Sequence, residues 1–178
     1  DVFAFRNARR SFNAEIPWGN STATSRWNHV FNRKLFANTT IVYNDYAFSF
    51  AGSQNDFKGK LAWGIRDWNA KTDFDWFASP QHKLRFGGVY TYHTFTPNVF
   101  SGNQGDTEFR FNSNTKKQAA ETGLYIQDDW EISNRIKIHA GLRWSGFSQL
   151  GPYTVYEKDA AGNHTDSTTY GHGKPIKP

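Results

Sequence analysis

Two carboxylates in the run KTDFDWF are the side chains of this sequence best suited to acid–base chemistry. Asp73 and Asp75 are two residues apart, so both point to the same face of an extended strand. Such a pair can serve glycoside hydrolysis or bind Ca²⁺. Other polar and charged residues continue on the same parity, which favours a hydrated wall over a catalytic pair. Asp128 and Asp129 are adjacent and point to opposite faces, so they form no shared site.

Metal, nucleophile and nucleotide chemistry have no comparable pattern. The 6 histidines form neither an HExxH motif nor an HxH pair, and the absence of cysteine excludes thiolate ligands, disulfides and cysteine nucleophiles. G-x-S-x-G, P-loop and G-x-G-x-x-G motifs are missing as well. We therefore expect a protein that is not an enzyme and that has no catalytic residue, no metal site and no cofactor.

Strands must position the acidic pair, and the hairpin from Glu121 to Ser145 shows their pattern most clearly. Apolar and polar residues alternate on both arms with period two, which is typical of strands with one apolar and one wet face. The apolar face carries Leu124, Ile126, Trp130, Ile132, Ile136, Ile138, Ala140, Leu142 and Trp144. A soluble sheet packs such a face on a core, whereas an outer-membrane barrel turns it to lipid and ends it in aromatic girdles.

Similar strands recur along the chain, and the sequence predicts an all-β fold. About six strands form an antiparallel meander with almost no helix, as in a segment of a transmembrane outer-membrane β-barrel. The predicted strands are 18–31, 35–50, 58–78, 84–96 and the two arms of the hairpin. The apolar parity switches near Asn44–Asp45, which indicates a bulge or a strand end above the bilayer, and again near Arg66, which indicates another irregularity.

The predicted connections alternate in length. Short turns near 32, 80 and 134 alternate with longer connections at 51–57, at 97–118 and beyond 149. Residues 1–17 are expected to be the end of an outer loop. This alternation is typical of outer-membrane barrels, whose short turns are periplasmic and whose longer loops lie outside the cell.

Composition supports strands that face lipid. Aromatic residues make up 17% of the chain while all hydrophobic residues make up only 37%, and mean hydropathy is −0.75. Membrane-facing girdles account best for the recurring rings; a soluble β core and stacking on a ligand are the alternatives. The net charge of +5 is spread at period two, so we expect the cations to lie on a solvated face. The alternative is that they meet an anionic ligand or lipopolysaccharide at the rim. A nucleic acid partner is not expected.

Two segments carry a family resemblance. The run YIQDDWEISNRIKIHAGLRW resembles a barrel hairpin of the TonB-dependent outer-membrane receptors, of the type found in Bacteroidetes, and WGNSTATSRWNHVFNRKLFANTTIVY at 18–43 is similar to the same family. With the middle hairpin the resemblance covers most of residues 18–148. The chain lacks Met and a signal peptide, so we expect 1–178 to be a partial barrel domain without its plug domain and C-terminal strands.

The resemblance implies active uptake of a scarce nutrient, such as a metal chelate, a glycan or a peptide, across the outer membrane of a Gram-negative cell. The implied partners are outer-membrane lipid, lipopolysaccharide, the plug domain of the same receptor, the small nutrient and, through segments missing here, the TonB complex. Two alternatives stay open: a soluble carbohydrate-binding β-sandwich and a passive outer-membrane porin.

Specificity is expected on the longest connection, because loops on a rigid scaffold carry binding residues. Within 97–118 the ligand-binding candidates are Asn103, Gln104, Asp106 and Arg110. Arg26, Arg85 and Arg143 are candidates for the lumen face, where a plug is their expected partner.

Overall fold

The computed structural model describes residues 2–7, 12–112, 116–159 and 162–175. They form ten β-strands: β1 (Val2–Asn7), β2 (Phe12–Val30), β3 (Leu35–Gln54), β4 (Phe57–Ser79), β5 (His82–Gln104), β6 (Thr107–Asn112), β7 (Lys117–Ser133), β8 (Ile136–Leu150), β9 (Tyr153–Lys158) and β10 (His164–Tyr170). Within these ranges no helix is long and apolar enough to cross a bilayer.

Eight strands pair into one open antiparallel sheet, in the order β1-β2-β3-β4-β5-β7-β8 with β6 beside this path. We call the end with the turns after β2, β4 and β7 the turn end, and the opposite end the loop end. β5 is the branch point, because Val99–Gln104 near the loop end pairs with β6 whereas His82–Phe95 pairs with β7. β9 and β10 form a separate hairpin. The predicted all-β antiparallel meander is confirmed.

The six predicted strands correspond to β2, β3, β4, β5, β7 and β8, and the three short turns lie where the sequence predicts them. The strands are longer than predicted at the loop end, where β4 and β5 reach 23 residues each. The four additional strands, β1, β6, β9 and β10, are short, with 6 or 7 residues. The prediction of about six strands therefore holds only for the long ones.

The predicted loops at the loop end are the main error. Residues 52–57 continue β3 and β4 up to a tight turn, where Asn55 has a φ of 51°. The predicted loop 97–118 is mostly strand, because β5 continues to Gln104 and β6 returns after Gly105, whose φ is 56°. Hairpin pairing satisfies backbone N–H and C=O groups without apolar side chains, so a polar composition that resembles a loop is compatible with strands.

Both chain ends were also predicted as loops, and both pair as strands. Part of 1–17 forms β1 and the beginning of β2, paired from Val2↔Pro17 to Asn7↔Phe12. The tail beyond 149 forms β9 and β10. Two isolated bridges, Leu150↔Pro175 and Gly151↔His172, tie the base of that hairpin to the end of β8.

The pairing registers test the irregularities predicted at the two parity switches. β3 pairs with β2 and β4 without a register shift through Asn44 and Asp45, so the predicted bulge is absent and the strands simply continue toward the loop end. β4 also pairs regularly with both neighbours at Arg66, so the second predicted irregularity is not at that position. A register shift lies nearer the loop end, between Ala62 and Gly64, where Pro97–Asn98 of β5 adds one residue opposite β4. Proline has no N–H for the ladder, which makes a bulge a suitable position for it.

The registers place the predicted apolar sets of 23–43, 68–76, 84–92 and the 121–145 hairpin on one side of the sheet, which we call the outer face. The other side is the inner face, and the apolar sets of β3 and β4 beyond the parity switches lie there. One outer row runs through six strands as Trp27, Thr39, Thr72, Gly88, Leu124 and Trp144. Leu142 on this face is 80% exposed, and none of the described large side chains is fully buried. The sheet therefore has no dry core, and its exposed apolar face fits contact with lipid.

The apolar part of the outer face covers only a section of each strand, which we call the apolar band. It spans about nine residues per strand, 35–43 in β3 and 68–76 in β4, which matches the length of a tilted strand that crosses a bilayer. Tyr43 and Trp68 contact each other at its loop-end margin, with ring centroids 4.8 Å apart. Beyond this margin the polarity of the two faces exchanges, because Phe48 and Trp63 contact each other on the inner face.

Candidate functional site

Charged side chains from three strands form a network on the inner face, behind the apolar band. Lys71 Nζ lies 2.9 Å from Asp73 Oδ2, and Arg85 Nη2 lies 2.9 Å from Asp75 Oδ1. Each carboxylate of the acidic pair therefore has its own cation. This arrangement fits the hydrated wall that the sequence favours.

Tyr125 connects this network across two strands. In its row Asp73 of β4, Gly87 of β5 and Tyr125 of β7 are successive partners, and the Tyr125 hydroxyl donates a hydrogen bond to Asp73 Oδ1. A Cβ at Gly87 would lie 2.7 Å from the Tyr125 hydroxyl oxygen and 2.3 Å from the Thr72 carbonyl oxygen. Glycine at this position is what allows the tyrosine to lie along the wall and reach the carboxylate.

Arg143 lies along the wall in the same way. Its guanidinium carbon is 5.8 Å from the centroid of the Tyr125 ring, and its Nη2 occupies the space beside Gly123, 2.6 Å from where a Cβ would be. Its Nε donates a hydrogen bond of 3.2 Å to Ser145 Oγ. Among the described residues no carboxylate lies within ion-pair distance of Arg143. The positive charge of this guanidinium is therefore available to another partner.

These side chains line a shallow recess of about 370 Å³ on the inner face. It is lined by Asn38, Lys71, Asp73, Asp75, Arg85, Tyr125, Gln127 and Arg143. Three cations face two carboxylates, which gives a local net charge of +1. The described residues contain no group of three or more His, Asp or Glu side chains suited to a metal ion. The recess can therefore offer hydrogen bonds and one uncompensated guanidinium to a polar partner.

The polar wall continues toward the loop end through a histidine. His93 Nδ1 lies 2.8 Å from Asp67 Oδ1, and its Nε2 is 3.8 Å from Glu121 Oε1. Asn69 donates a hydrogen bond of 2.6 Å to the Thr91 hydroxyl in the next inner row. Polar side chains thus line the inner face of β4 from Asp75 to Asp67, behind most of the apolar band.

One ion pair lies at the loop-end margin of the apolar band, on the outer face. Arg66 Nη2 lies 2.7 Å from Asp45 Oδ2, and the Tyr43 hydroxyl donates to the same oxygen over 2.9 Å. Asp45 lies beyond the membrane-spanning segment of β3. Hydrogen bonds from Arg66 and then from Tyr43 hold the pKa of the Asp45 carboxyl below its usual range. A charged pair next to exposed rings is typical of the region where lipid meets water.

The three predicted lumen arginines all lie on the inner face, but the structure brings together only two. Arg85 and Arg143 line the recess, whereas Arg26 is on β2, where it pairs with Thr40 outside the recess. Neither Lys71 nor Tyr125 stands out in the sequence as a member of this network. A usable signal was present, because Gly87 interrupts the polar parity of β5 and leaves room for a long side chain from the next strand.

The four predicted ligand-binding residues of the β5–β6 hairpin do not form one cluster. Gln104 is on the inner face beside Phe57, while Asn103 is on the outer face beside Lys58. Asp106 is in the β5–β6 turn, and the side chain of Arg110 lies outside the described residues. The alternation of a strand, which the loop prediction missed, separates Asn103 from Gln104.

Comparison with known proteins gives one match. The family described as TonB dependent receptor-like, beta-barrel matches residues 2–173, which is nearly the whole chain. A search of curated proteins and of solved structures returned no match. The match agrees with the exposed apolar band and the hydrophilic inner face. The chain therefore belongs to the TonB-dependent receptor-like β-barrel family.

Proposed function

We propose that this chain forms part of the wall of an outer-membrane receptor that imports a scarce nutrient, with energy supplied by the TonB complex. The observation that supports the proposal is the position of the charged inner face directly behind the apolar band, because a lipid-facing wall with a hydrophilic interior encloses a path for polar cargo. Members of the family are transport receptors of the outer membrane and not enzymes. The cargo classes are a metal chelate, a glycan or a peptide.

The sheet is one sector of the closed barrel in this proposal. Residues 1–178 then constitute a partial barrel domain, and further strands pair with the open edges of β1–β2 and β8, since unpaired edges are unstable in lipid. A plug domain of the same receptor occupies the interior. Arg143 and Arg85 contact it across the recess, and Arg26 contacts it from β2. Lipid and lipopolysaccharide cover the apolar band and its rim.

Ligand contacts belong to the loop end, where the β5–β6 hairpin carries Asn103, Gln104, Asp106 and Arg110. The test is deletion of residues 101–115 in the receptor, with deletion of 153–170, the β9–β10 hairpin, as a control of similar size. We expect the first deletion to weaken ligand affinity and uptake at a normal surface level. Normal affinity and uptake in that variant would remove the β5–β6 hairpin from the mechanism.

Energy coupling separates this function from its alternatives. Cells with and without the receptor gene are supplied with labelled iron chelates, oligosaccharides and peptides, and uptake is measured with and without a protonophore. We expect receptor-dependent uptake of one class, abolished by the protonophore. Uptake that persists without the proton gradient would indicate a passive porin instead, and recovery of the protein in the soluble fraction would indicate a soluble carbohydrate-binding module.

A further inference from the structure

An apolar surface lies on the inner face at the loop end, where the outer face is polar. Beyond the parity switch, the inner row Phe50, Leu61 and Phe100 crosses three strands, and the row Gln54, Phe57 and Gln104 runs parallel to it nearer the tip. Phe50 is 44% exposed and Phe57 is 42% exposed. This surface cannot contact the bilayer, because it is on the opposite face from the apolar band and above it.

Three glycines separate the two rows. Gly52, Gly59 and Gly102 are successive partners on β3, β4 and β5, so they form a floor without side chains between aromatic walls. Phe109 covers the Gly102 end, where a Cβ would lie 2.7 Å from its Cε2 atom. The Phe109 ring also contacts Phe57, with centroids 6.0 Å apart, and Phe100, with centroids 6.1 Å apart.

The Gly52 end of the floor stays open. A Cβ at Gly52 would lie 4.0 Å from Phe50 Cε1 and from the Asn13 carbonyl oxygen, so no ring presses on this glycine as Phe109 does on Gly102. Aromatic rings that lie on glycines protect a sheet from the loss of side-chain packing, and Phe109 on Gly102 has that geometry. The space above Gly52 is not used in this way, and it opens a recess of about 450 Å³, within the usual size range of small-molecule sites.

We propose that this recess binds a planar, uncharged ring group of the imported ligand. The proposal rests on the proposed function in that it takes the loop end of the inner face as the entrance for the ligand. Phe50, Phe57 and Phe100 supply ring faces, and the glycine floor lets a flat group approach the backbone. Among the described lining residues, Gln54 is the one polar side chain of the inner face, because Ser53 and Lys60 point to the outer face.

The lining also selects against other ligand classes. A charged group would lose its hydration without gaining an ionic partner from the described lining, which contains no charged side chain of the inner face. A sugar ring carries hydroxyl groups around its edge, and one amide cannot satisfy them. A flat, uncharged ring without hydrogen-bond donors gains stacking on the phenylalanines, and an acceptor at its edge gains one hydrogen bond from Gln54.

The recess can be filled from its floor by one substitution. Gly52→Leu places a side chain in open space, and the backbone of Gly52 has no positive φ that would oppose it. Gly19→Leu is the matched control, because Gly19 has nothing within 4 Å of a built Cβ and is on the outer face, away from the recess. Outer-membrane level and heat-modifiable mobility on gels establish that both variants assemble.

The test measures binding to the purified receptor in detergent micelles by saturation-transfer NMR and titration. Caffeine is the flat uncharged probe, methyl β-glucoside the sugar probe and benzoate the flat anionic probe. We expect caffeine alone to bind, with a Kd of about 1 mM for a ligand of its size, and Gly52→Leu to weaken it at least about tenfold while Gly19→Leu does not.

Three outcomes would overturn the proposal: no caffeine binding, caffeine binding that Gly52→Leu leaves unchanged, or a Gly52-dependent preference for the glucoside or benzoate. Binding is measured without transport, so its failure is distinct from a failure of TonB-driven uptake. If uptake proves passive while caffeine binds and Gly52→Leu abolishes binding, the proposed function fails and the recess assignment stands.

Discussion

Replacement of Leu142 by arginine tests whether the outer face of the sheet meets lipid. Leu142 is 80% exposed near the middle of the apolar band, where its row contains Ile126 of β7 and Phe86 of β5. In a soluble protein, an exposed leucine can become arginine at almost no cost in stability. In a bilayer the same change places a cation in hydrocarbon. A soluble protein would therefore lose almost no stability, whereas a membrane protein would lose much.

The expected loss of stability follows from two terms. A cation on the lipid face of a barrel costs about 2–4 kcal/mol near the midplane. Removal of the leucine forfeits most of its transfer energy into an apolar medium, which is about 1–2 kcal/mol for a side chain with this exposure. The sum is about 3–6 kcal/mol, or about two to four powers of ten in the folding equilibrium constant.

The assay is urea unfolding of the receptor in lipid vesicles, followed by tryptophan fluorescence, together with the level of the folded receptor in the outer membrane. Asn28→Arg is the matched control, because Asn28 is exposed on the inner face in the row of Asp73, next to the row of Leu142. We expect Leu142→Arg to lower the unfolding free energy by the amount above and Asn28→Arg to change it by less than about 0.5 kcal/mol. Equal effects of the two variants would refute the assignment of the faces.

Two further predictions concern the wall and the isolated chain. Tyr125→Phe removes the hydroxyl that donates a hydrogen bond to Asp73, and it should lower the unfolding free energy by about 1 kcal/mol. A double-mutant cycle with Asp73→Asn should show coupling between the two residues. Zero coupling would mean that the hydrogen bond contributes nothing to stability. The chain expressed alone without detergent should be insoluble or oligomeric, because it exposes an apolar band and unpaired strand edges. A monomer in plain buffer with a sharp two-state melt, seen by sedimentation and calorimetry, would contradict that expectation.

The two faces of the sheet could be predicted because they depend only on local alternation. Wherever Trp, Leu or Ile recurs at period two, as in Leu124 and Ile126, the side chains share a face whichever strand lies next to them. The position of Arg85 and Arg143 on the inner face follows from the same alternation. Short turns such as the one near 134 were predictable as well, since they separate two clear periodic runs.

The recess around Tyr125 and Asp73 and the strands at the loop end could not be predicted from alternation, because they depend on register. Tyr125 meets Asp73 only because β7 pairs with β5 and β5 with β4 in one particular alignment, and Gly87 has to fall between them. The strands near Gln104 were missed for another reason. Their composition of Asn, Gly and Gln is that of a loop, and long-range pairing overrides such local preferences.

The strands do not end where the apolar band ends, and this has a consequence for the cell surface. β3 continues from Asp45 to Gln54 and β4 returns along it, so this hairpin rises about 20–25 Å above the bilayer at the usual rise per residue and tilt. In the proposed receptor, whose loop end faces the ligand outside the cell, that height reaches into the layer of surface sugars. The turn at Asn55 and Asp56 is then an accessible epitope, open to antibodies and to phage adsorption, and an inserted peptide tag there would report the receptor on living cells.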